Sequence, residues 1–430
     1  MVAIFTIMIV PSETLHAQGG GRIQFGNLKI IPGLTADAVF DDNIYKGNGK
    51  EYPTASQTRQ EEKVSDTIYH IKPGLLFNYT IPERGSLNLG WQMDKALYAS
   101  ETNNNWTNNR GTMAFDYEIP EGIILGLSNV YQKAEDPYGN ADQYGIGTIT
   151  KRWDNDLKAK AGYQFGASFR TIIDYNFFTQ KYDKESDWGQ NYDSNSLGIG
   201  VEARFLPRTW GFVRYNYTQK RYSADLTTPA MNIAPGATKA DSNASQISAG
   251  LKWDPGAKLS GELNVGYQMK KYENEWTVIN VGGTNTSSKR EDSNTWIATT
   301  AVNFLALEQT LLSLSLSRAN RDGGTDTNET FDDTNIGLKL EQTFFTKFKI
   351  TVGGSFGMND YNRAPAASPT VANPTDKRSD KNYNANVNFD YQIREWLGLG
   401  LGYEFAKKNS NYEENDFTDN KYTISIRLVF

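Results

Sequence analysis

The sequence contains no cysteine and only two histidines, His16 and His70, among its 430 residues. The lack of cysteine excludes disulfides, thiolate metal sites and a cysteine-linked lipid anchor, and it suits an oxidising compartment. A hydrolase that uses histidine as general base would depend on His70, and no serine motif accompanies that residue. The composition therefore argues against an enzyme, and a polar strand position is the simpler interpretation of His70.

Long apolar runs and positive net charge are also missing. No stretch of about 20 apolar residues occurs after residue 17, so the sequence predicts no membrane-spanning helix. The net charge of -6 argues against a nucleic-acid partner. Only 38% of the residues are hydrophobic, which is a thin supply for the several dry cores of a soluble protein of this length.

Aromatic residues and glycine are abundant instead, with 24 Tyr, 21 Phe, 9 Trp and 38 Gly. Between connectors rich in Asn and Asp, segments of roughly 10–16 residues alternate apolar and polar side chains, and we count about 18 of them. Side chains alternate between the two faces of a strand, so each segment has one apolar and one polar face. Low overall hydrophobicity fits a membrane barrel, because only alternate residues meet lipid.

The connectors between these segments alternate between short and long. The short turns lie at residues 81–85, 119–122, 166–168, 206–209, 254–257 and 393–396. The long polar loops lie at residues 46–63, 134–145, 223–241, 275–290 and 361–380. Short periplasmic turns with longer extracellular loops are typical of outer-membrane barrels. The sequence predicts an all-β fold, a transmembrane antiparallel up-and-down barrel of about 18 strands over residues 28–430.

Aromatic residues near both ends of the segments predict two girdles at the membrane interfaces. Those beside short turns are Phe165, Phe205, Trp210, Trp253, Phe304, Trp396 and Phe430. Those beside long loops are Tyr45, Tyr98, Tyr131, Tyr182, Tyr222 and Tyr272. A soluble sandwich or propeller would share the strand spacing but not this placement at two levels.

The last segment, residues 422–430, is the clearest example of the alternation. Its predicted lipid face consists of Tyr422, Ile424, Ile426, Leu428 and Phe430. We predict that this strand closes the barrel by pairing with the first strand, over about residues 28–45. The pairing removes two sheet edges whose backbone groups lipid could not satisfy.

The N-terminus predicts export from the cytoplasm. Residues 2–10 form a short apolar run, and Ala17 ends a sequence that suits a cleavage site. We therefore expect a signal peptide over residues 1–17, followed by a short periplasmic linker over residues 18–27.

The polar faces of the predicted strands supply candidates for the lumen wall. The charged candidates are Lys158, Lys160, Arg170, Asp174, Glu202, Arg204, Arg214, Lys252, Glu262, Lys339, Glu341 and Arg427. Because both signs are present, strong selectivity for anions or cations is not predicted. Asn384, Asn386 and Asn388 would suit a neutral, hydroxylated solute, but wall residues that merely hydrate the lumen remain an equal alternative.

Carboxylate pairs such as Asp41 and Asp42 are interpreted as solvated strand ends and loops. We expect no cofactor beyond weak Ca²⁺ binding at acidic extracellular loops, and no catalytic residue or dedicated metal ligand.

Residues 29–35 (KIIPGLT) and 40–45 (FDDNIY) resemble the Putative β-barrel porin type 2 family. The resemblance extends over most of the predicted barrel, including the terminal Phe430. It implies a porin-like barrel of the Gram-negative outer membrane, of a kind often encoded with exopolysaccharide genes. The family has no established catalytic residues to transfer to this chain.

Three functions follow as hypotheses. The first is a channel for small polar solutes or saccharides. The alternatives are the outer-membrane exit barrel of an exopolysaccharide export system, and a structural or adhesive barrel with a closed lumen. The expected partners are outer-membrane lipid and lipopolysaccharide, the barrel assembly machinery and, for export, periplasmic polysaccharide-export proteins.

Overall fold

The computed structural model describes residues 23–50, 62–136, 150–223, 241–253, 258–273, 276–281, 284–289, 291–322, 330–364, 371 and 375–430. The described residues form one closed antiparallel barrel of 18 strands, as predicted. The barrel strands are β2 (Leu28–Asp41), β3 (Asp66–Ile81), β4 (Gly85–Tyr98), β5 (Trp106–Glu118), β6 (Ile123–Asp136), β7 (Thr150–Phe165), β8 (Phe169–Tyr182), β9 (Tyr192–Leu206), β10 (Thr209–Tyr222), β11 (Ser242–Trp253), β12 (Leu259–Tyr272), β15 (Ser293–Leu307), β16 (Thr310–Asp322), β17 (Thr330–Phe344), β18 (Phe348–Tyr361), β19 (Ser379–Arg394), β20 (Leu397–Ser410) and β21 (Phe417–Val429).

Three short strands accompany the barrel. β1 (Ile23–Phe25) pairs with the start of β2 and lies within the predicted linker. β13 (Trp276–Val281) and β14 (Thr284–Lys289) form a separate hairpin in the connection between β12 and β15. The predicted signal peptide lies outside the described residues. None of the helices in the described part of the chain is long and apolar enough to cross a membrane.

The two ends of the barrel differ in their connections. One end carries short turns, and Glu83 and Arg208 adopt left-handed backbone conformations there, as tight hairpins require. The predicted turn at 254–257 lies outside the described residues. The other end carries the longer loops, whose described parts include short 3-10 helices at Thr102–Asn104, Glu185–Gln190 and Glu413–Asn415. These two ends are called the turn end and the loop end below.

The barrel closes where β21 pairs with β2, as predicted. Nine residue pairs join the two strands, from Gly33 with Val429 to Asp41 with Lys421, against fourteen between β2 and β3. At the turn end, the backbone N–H of Phe430 donates to the carbonyl of Pro32 at 2.9 Å. These two strands form the closure seam.

The first strand ends at Asp41, four residues earlier than predicted. The cause is Asn43, whose side-chain amide donates to the carbonyl of Gly47 at 2.8 Å and accepts from its N–H at 3.0 Å. Asn43 also donates to the carbonyl of Thr418 at 2.9 Å. The side-chain bonds fold residues 43–47 over the start of β21 and end the extended backbone.

The predicted aromatic girdle at the loop end is wrong in most of its members. Tyr131 is 46% exposed on the outer face, but Tyr45, Tyr98, Tyr182, Tyr222 and Tyr272 are buried inside the barrel. The alternation of side chains explains the difference. Tyr222 and Tyr272 each lie five residues from an exposed tyrosine, Tyr217 and Tyr267, and an odd separation places two residues on opposite faces.

A different set of residues forms the outer aromatic ring near the loop end. Its members are all exposed on the lipid-facing side of the wall: Phe40, Tyr69, Tyr131, Tyr217, Tyr267, Trp296, Tyr383 and Tyr422. At the turn end, the predicted girdle members Phe165, Phe205, Phe304, Trp396 and Phe430 are exposed. Of the other two predicted members, Trp253 is half-buried, and Trp210 is 0% exposed and points inward.

A charge placed on the outer face of the wall should lower the stability of the barrel more than a charge placed on the inner face. Ile426 is 47% exposed on the outer face of β21, whereas Thr423 of the same strand lines the interior. We expect Ile426→Arg to lower the free energy of unfolding by about 2–4 kcal/mol, because the guanidinium must enter lipid. Thr423→Arg should cost much less. Urea unfolding of the barrel in lipid vesicles measures both, and equal losses would contradict the assignment of faces.

Candidate functional site

The barrel interior contains a space of about 800 Å³ against one side of the wall. The inner faces of β2–β4 and β17–β21 supply most of its lining. Uncharged polar side chains are frequent there: Thr35, Gln92, Thr351, Asn384, Asn386, Asn388, Thr423 and Ser425. The space is therefore a polar cavity in the barrel interior, bounded by the inner face of the wall.

Charged side chains on this wall neutralise one another in pairs. Lys72 Nζ lies 2.8 Å from Asp37 Oδ2, and the guanidinium of Arg427 bonds to Asp390. Further pairs are Lys339 with Glu341 at 2.6 Å, Lys349 with Glu341 at 3.7 Å, and Lys421 with Asp41 at 3.2 Å. The pairing leaves little unbalanced charge on the wall and hence no ring of one sign.

Three asparagines line up along β19. Asn384, Asn386 and Asn388 lie on the same face of the strand, about 7 Å apart in succession. Their amides lie against the wall because the neighbouring strands carry glycine opposite two of them. A Cβ at Gly402 would lie 2.7 Å from Asn388 Oδ1, and one at Gly353 would overlap Asn386 Oδ1. We call these three residues the amide track.

An apolar and aromatic patch borders the cavity at the loop end. Tyr98 and Trp106 line the cavity beside His70, the ring of which lies 5.6 Å from that of Trp106. His70 Nδ1 lies 2.9 Å from Asp94 Oδ1. His70 is thus held in the wall by a carboxylate and an indole, in agreement with its interpretation as a polar strand position.

The loop end of the cavity also carries a group of charged residues around Lys46. Burial lowers the pKa of the Lys46 ammonium, and Lys421 lowers it further, whereas Asp419 and Asp41 act in the opposite direction. Charges of both signs are therefore packed closely where residues 42–47 fold over the closure seam.

The inner face of the opposite side, over β7–β12 and β15, encloses a space of only about 30 Å³. Lys158, Asp174, Arg214 and Glu262 line it, and Arg214 Nη1 lies 3.3 Å from Glu262 Oε1. At the loop end of this side, Asp322 of β16 accepts from Lys220 of β10 at 2.5 Å and also pairs with Lys270 of β12. Ion pairs therefore connect strands that are not neighbours.

Two guanidinium groups contact the indole ring of Trp210 near the turn end. The Cζ atoms of Arg170 and Arg204 lie 4.2 and 4.3 Å from the centre of its indole ring. Arg170 is oriented by Gln164, whose Oε1 accepts from Nε at 2.7 Å, and by Glu118, which accepts from Nη2 at 2.7 Å. Such cation–π contacts are strongest with tryptophan.

The twelve charged lumen candidates from the sequence fall into separate groups on the inner side of the wall. Lys339, Glu341 and Arg427 line the large cavity, and Lys158, Asp174, Arg214 and Glu262 line the small one. The others form local contacts: Arg170 and Arg204 with Trp210, Lys252 with Glu202 at 3.6 Å, and Lys160 with Asp116 at 3.9 Å. The sequence did not identify Trp210, Tyr98 or Trp106 as interior residues, although alternation along their strands carries that information.

A family model described as Putative beta-barrel porin 2 matches residues 190–430, which is more than half of the chain. The chain belongs to this family. This porin-family member is a multi-pass barrel of the Gram-negative outer membrane, and its family points to a channel or transporter rather than an enzyme.

Solved outer-membrane proteins of Pseudomonas aeruginosa are similar to this chain at low identity. OpdK is 10% identical, with 93% of this chain and 99% of that chain covered and a TM-score of 0.40. OccK2 (OpdF) is 9% identical, with 95% and 100% covered and a TM-score of 0.43. The siderophore receptor PirA is 8% identical, with 93% and 80% covered and a TM-score of 0.41. No curated protein matches the chain.

The two cation–π contacts of Trp210 predict a graded loss of stability when the residue is replaced. Trp210→Ala removes both cation–π contacts and should lower the free energy of unfolding by about 1–4 kcal/mol, on the basis of roughly 0.5–2 kcal/mol for each contact. Trp210→Phe should retain part of the stability, because phenylalanine still offers an aromatic face. Urea unfolding in vesicles measures the series, and an alanine variant as stable as the native protein would contradict a stabilising role.

Proposed function

We propose that the porin is a channel for small polar solutes, saccharides among them. The observation that carries the proposal is the cavity of about 800 Å³, whose wall combines paired charges with amides and hydroxyls. A neutral, hydroxylated solute can exchange hydrogen bonds to water for hydrogen bonds to such a wall at little cost. Because most charged side chains of this wall are paired, the wall should concentrate ions of one sign only weakly.

The amide track favours passage along one side of the lumen. Its amides both donate and accept hydrogen bonds, as sugar hydroxyl groups do. Because the three residues succeed one another along β19, a solute that leaves one amide can meet the next. Gly353 opposite Asn386 and Gly402 opposite Asn388 leave room for these amides to lie against the wall.

The exit of an exopolysaccharide export system is the second candidate, and the length of the amide track favours it. The track spans about 14 Å between its first and last members, on the strand rise of about 3.4 Å per residue. A single small sugar would meet only part of it, whereas a polymer could contact all three amides at once. Separate periplasmic proteins would then deliver the polymer.

Planar-bilayer recording of the purified barrel tests the channel. We expect an ionic current with weak selectivity, and transient block of that current by added saccharides. Block that strengthens steadily with oligosaccharide length favours the export candidate, whereas block that is independent of length favours small solutes. A barrel that carries no current would overturn the proposal in favour of a structural or adhesive role.

The pairing of Arg427 with Asp390 predicts a change in selectivity that a second substitution reverses. Arg427→Gln leaves the Asp390 carboxylate without its counter-charge, so the lumen should favour cations. Because a single charge pair in water is worth up to about 1 kcal/mol, the permeability ratio should change roughly twofold to fivefold. Asp390→Asn in the same chain should restore the original ratio, and reversal potentials under a salt gradient measure both. An unchanged ratio in Arg427→Gln would show that ions do not pass this pair.

The amide track predicts a loss of saccharide block without a change in ion selectivity. Asn386→Leu and Asn388→Leu remove hydrogen-bonding groups but no charge, so saccharide block should weaken while the reversal potential stays constant. Thr35→Val is the matched control, because it alters a polar cavity residue of β2, which pairs with β21 and β3 rather than with β19. Equal weakening in all three variants would contradict a specific role for the asparagines.

A further inference from the structure

Three aspartates meet at the loop end of the closure seam. Asp41 is the last residue of β2, Asp42 follows it, and Asp419 is the third residue of β21. One carboxylate oxygen from each lies within 4.8 Å of the others. Asp41 and Asp42 are adjacent in the sequence, but only closure of the barrel brings Asp419 beside them.

Asp419 is the least satisfied member of this cluster. Its side chain is 1% exposed, its carboxyl group lies against that of Asp41, and neither of its oxygens accepts a hydrogen bond from a nitrogen of the described residues. Lys421 Nζ lies 3.6 Å from Oδ2, beyond hydrogen-bonding distance. A buried carboxylate that accepts no hydrogen bond is costly, so its oxygens are available to a ligand that supplies positive charge.

The other two aspartates are held in place while keeping coordination capacity. Asp41 Oδ1 accepts from the backbone N–H of Asn43 at 2.8 Å, and its Oδ2 lies 3.2 Å from Lys421 Nζ. The oxygens of Asp42 accept from the backbone and side-chain nitrogens of Asn420, each at 2.7 Å. Each oxygen has a second lone pair, and such outer hydrogen bonds orient carboxylates towards a metal.

Charge and access also suit a cation. The three carboxylates outnumber the two nearby ammonium groups, Lys421 and Lys46, and Glu404 adds a further negative charge on the adjoining wall. Asp41 and Lys421 line the large cavity, so an ion and its water ligands can enter from the lumen. Oxygen-only donors select hard cations.

We propose that Asp41, Asp42 and Asp419 bind a Ca²⁺ ion that joins the first and last strands of the barrel. Calcium takes six to eight oxygens in flexible geometry, whereas magnesium demands a near-ideal octahedron that donors from two strands and a loop do not readily supply. Water from the lumen completes the coordination. Binding displaces the Lys421 ammonium, which lies between Asp41 and Asp419 in the metal-free arrangement.

Isothermal titration of the full-length barrel with CaCl₂ tests the proposal, after treatment with EDTA and in a zwitterionic detergent free of lipopolysaccharide. We expect one site with a dissociation constant on the order of 10⁻⁴–10⁻³ M, the range of extracellular calcium modules. Asp419→Asn should weaken binding at least tenfold. Asp193→Asn is the matched control, since Asp193 is a loop-end carboxylate that pairs with Lys181. Equal titration curves for all three proteins would overturn the proposal.

Lys421→Met separates a metal site from a simple ion-pair network, and it retains all three carboxylates. If calcium and the Lys421 ammonium compete, the variant should bind calcium more tightly than the native barrel does. If the aspartates serve only to pair with Lys421, the substitution gains no calcium affinity and the proposal fails. This variant also carries the test if Asp419→Asn does not assemble. Neither titration depends on whether the barrel conducts.

Discussion

Every backbone N–H and C=O group within lipid must have a hydrogen-bond partner in the protein, and the whole architecture depends on that requirement. A sheet meets this requirement only by closing on itself. The pairing of β21 with β2 is therefore as necessary as any other ladder, even though it contains only nine residue pairs. The end of the seam at the loop side is reinforced by side chains. Asn43 and Asp42 reach across to residues 418 and 420 and extend the contact beyond the backbone ladder.

Closure also determines what the interior can contain. Alternation assigns half of each strand to lipid, and the other half must fill or line the lumen. On one side, ion pairs and aromatic residues pack closely, as around Trp210 and Asp322. On the other side, glycines opposite Asn386 and Asn388 let these amides lie against the wall beside a polar cavity. The distribution of small and large inward residues, at a constant strand number, thus decides where the lumen is open.

The fold could be predicted closely from the sequence because a barrel repeats one local pattern, a strand of alternating side chains followed by a turn or loop. Strand alternation, turn length and the two faces of residues 422–430 are all visible within about ten residues. The aromatic girdle failed for Tyr98, Tyr222 and Tyr272 because proximity to a loop was weighed without checking which face each residue occupies. The aspartate cluster and the contact between Lys220 and Asp322 could not be predicted, since they join residues that only register and curvature bring together.

The closure seam has a kinetic consequence. Hairpins such as β3 and β4 join residues close in sequence, whereas the seam joins residue 41 to residue 421. The entropy lost in closing a loop grows only slowly with its length. The large separation therefore slows folding more than it lowers the final stability. The edges of β2 and β21 stay unpaired until the last strand has been synthesised. The unfinished sheet must therefore be shielded from other edges for as long as the remaining strands take to arrive.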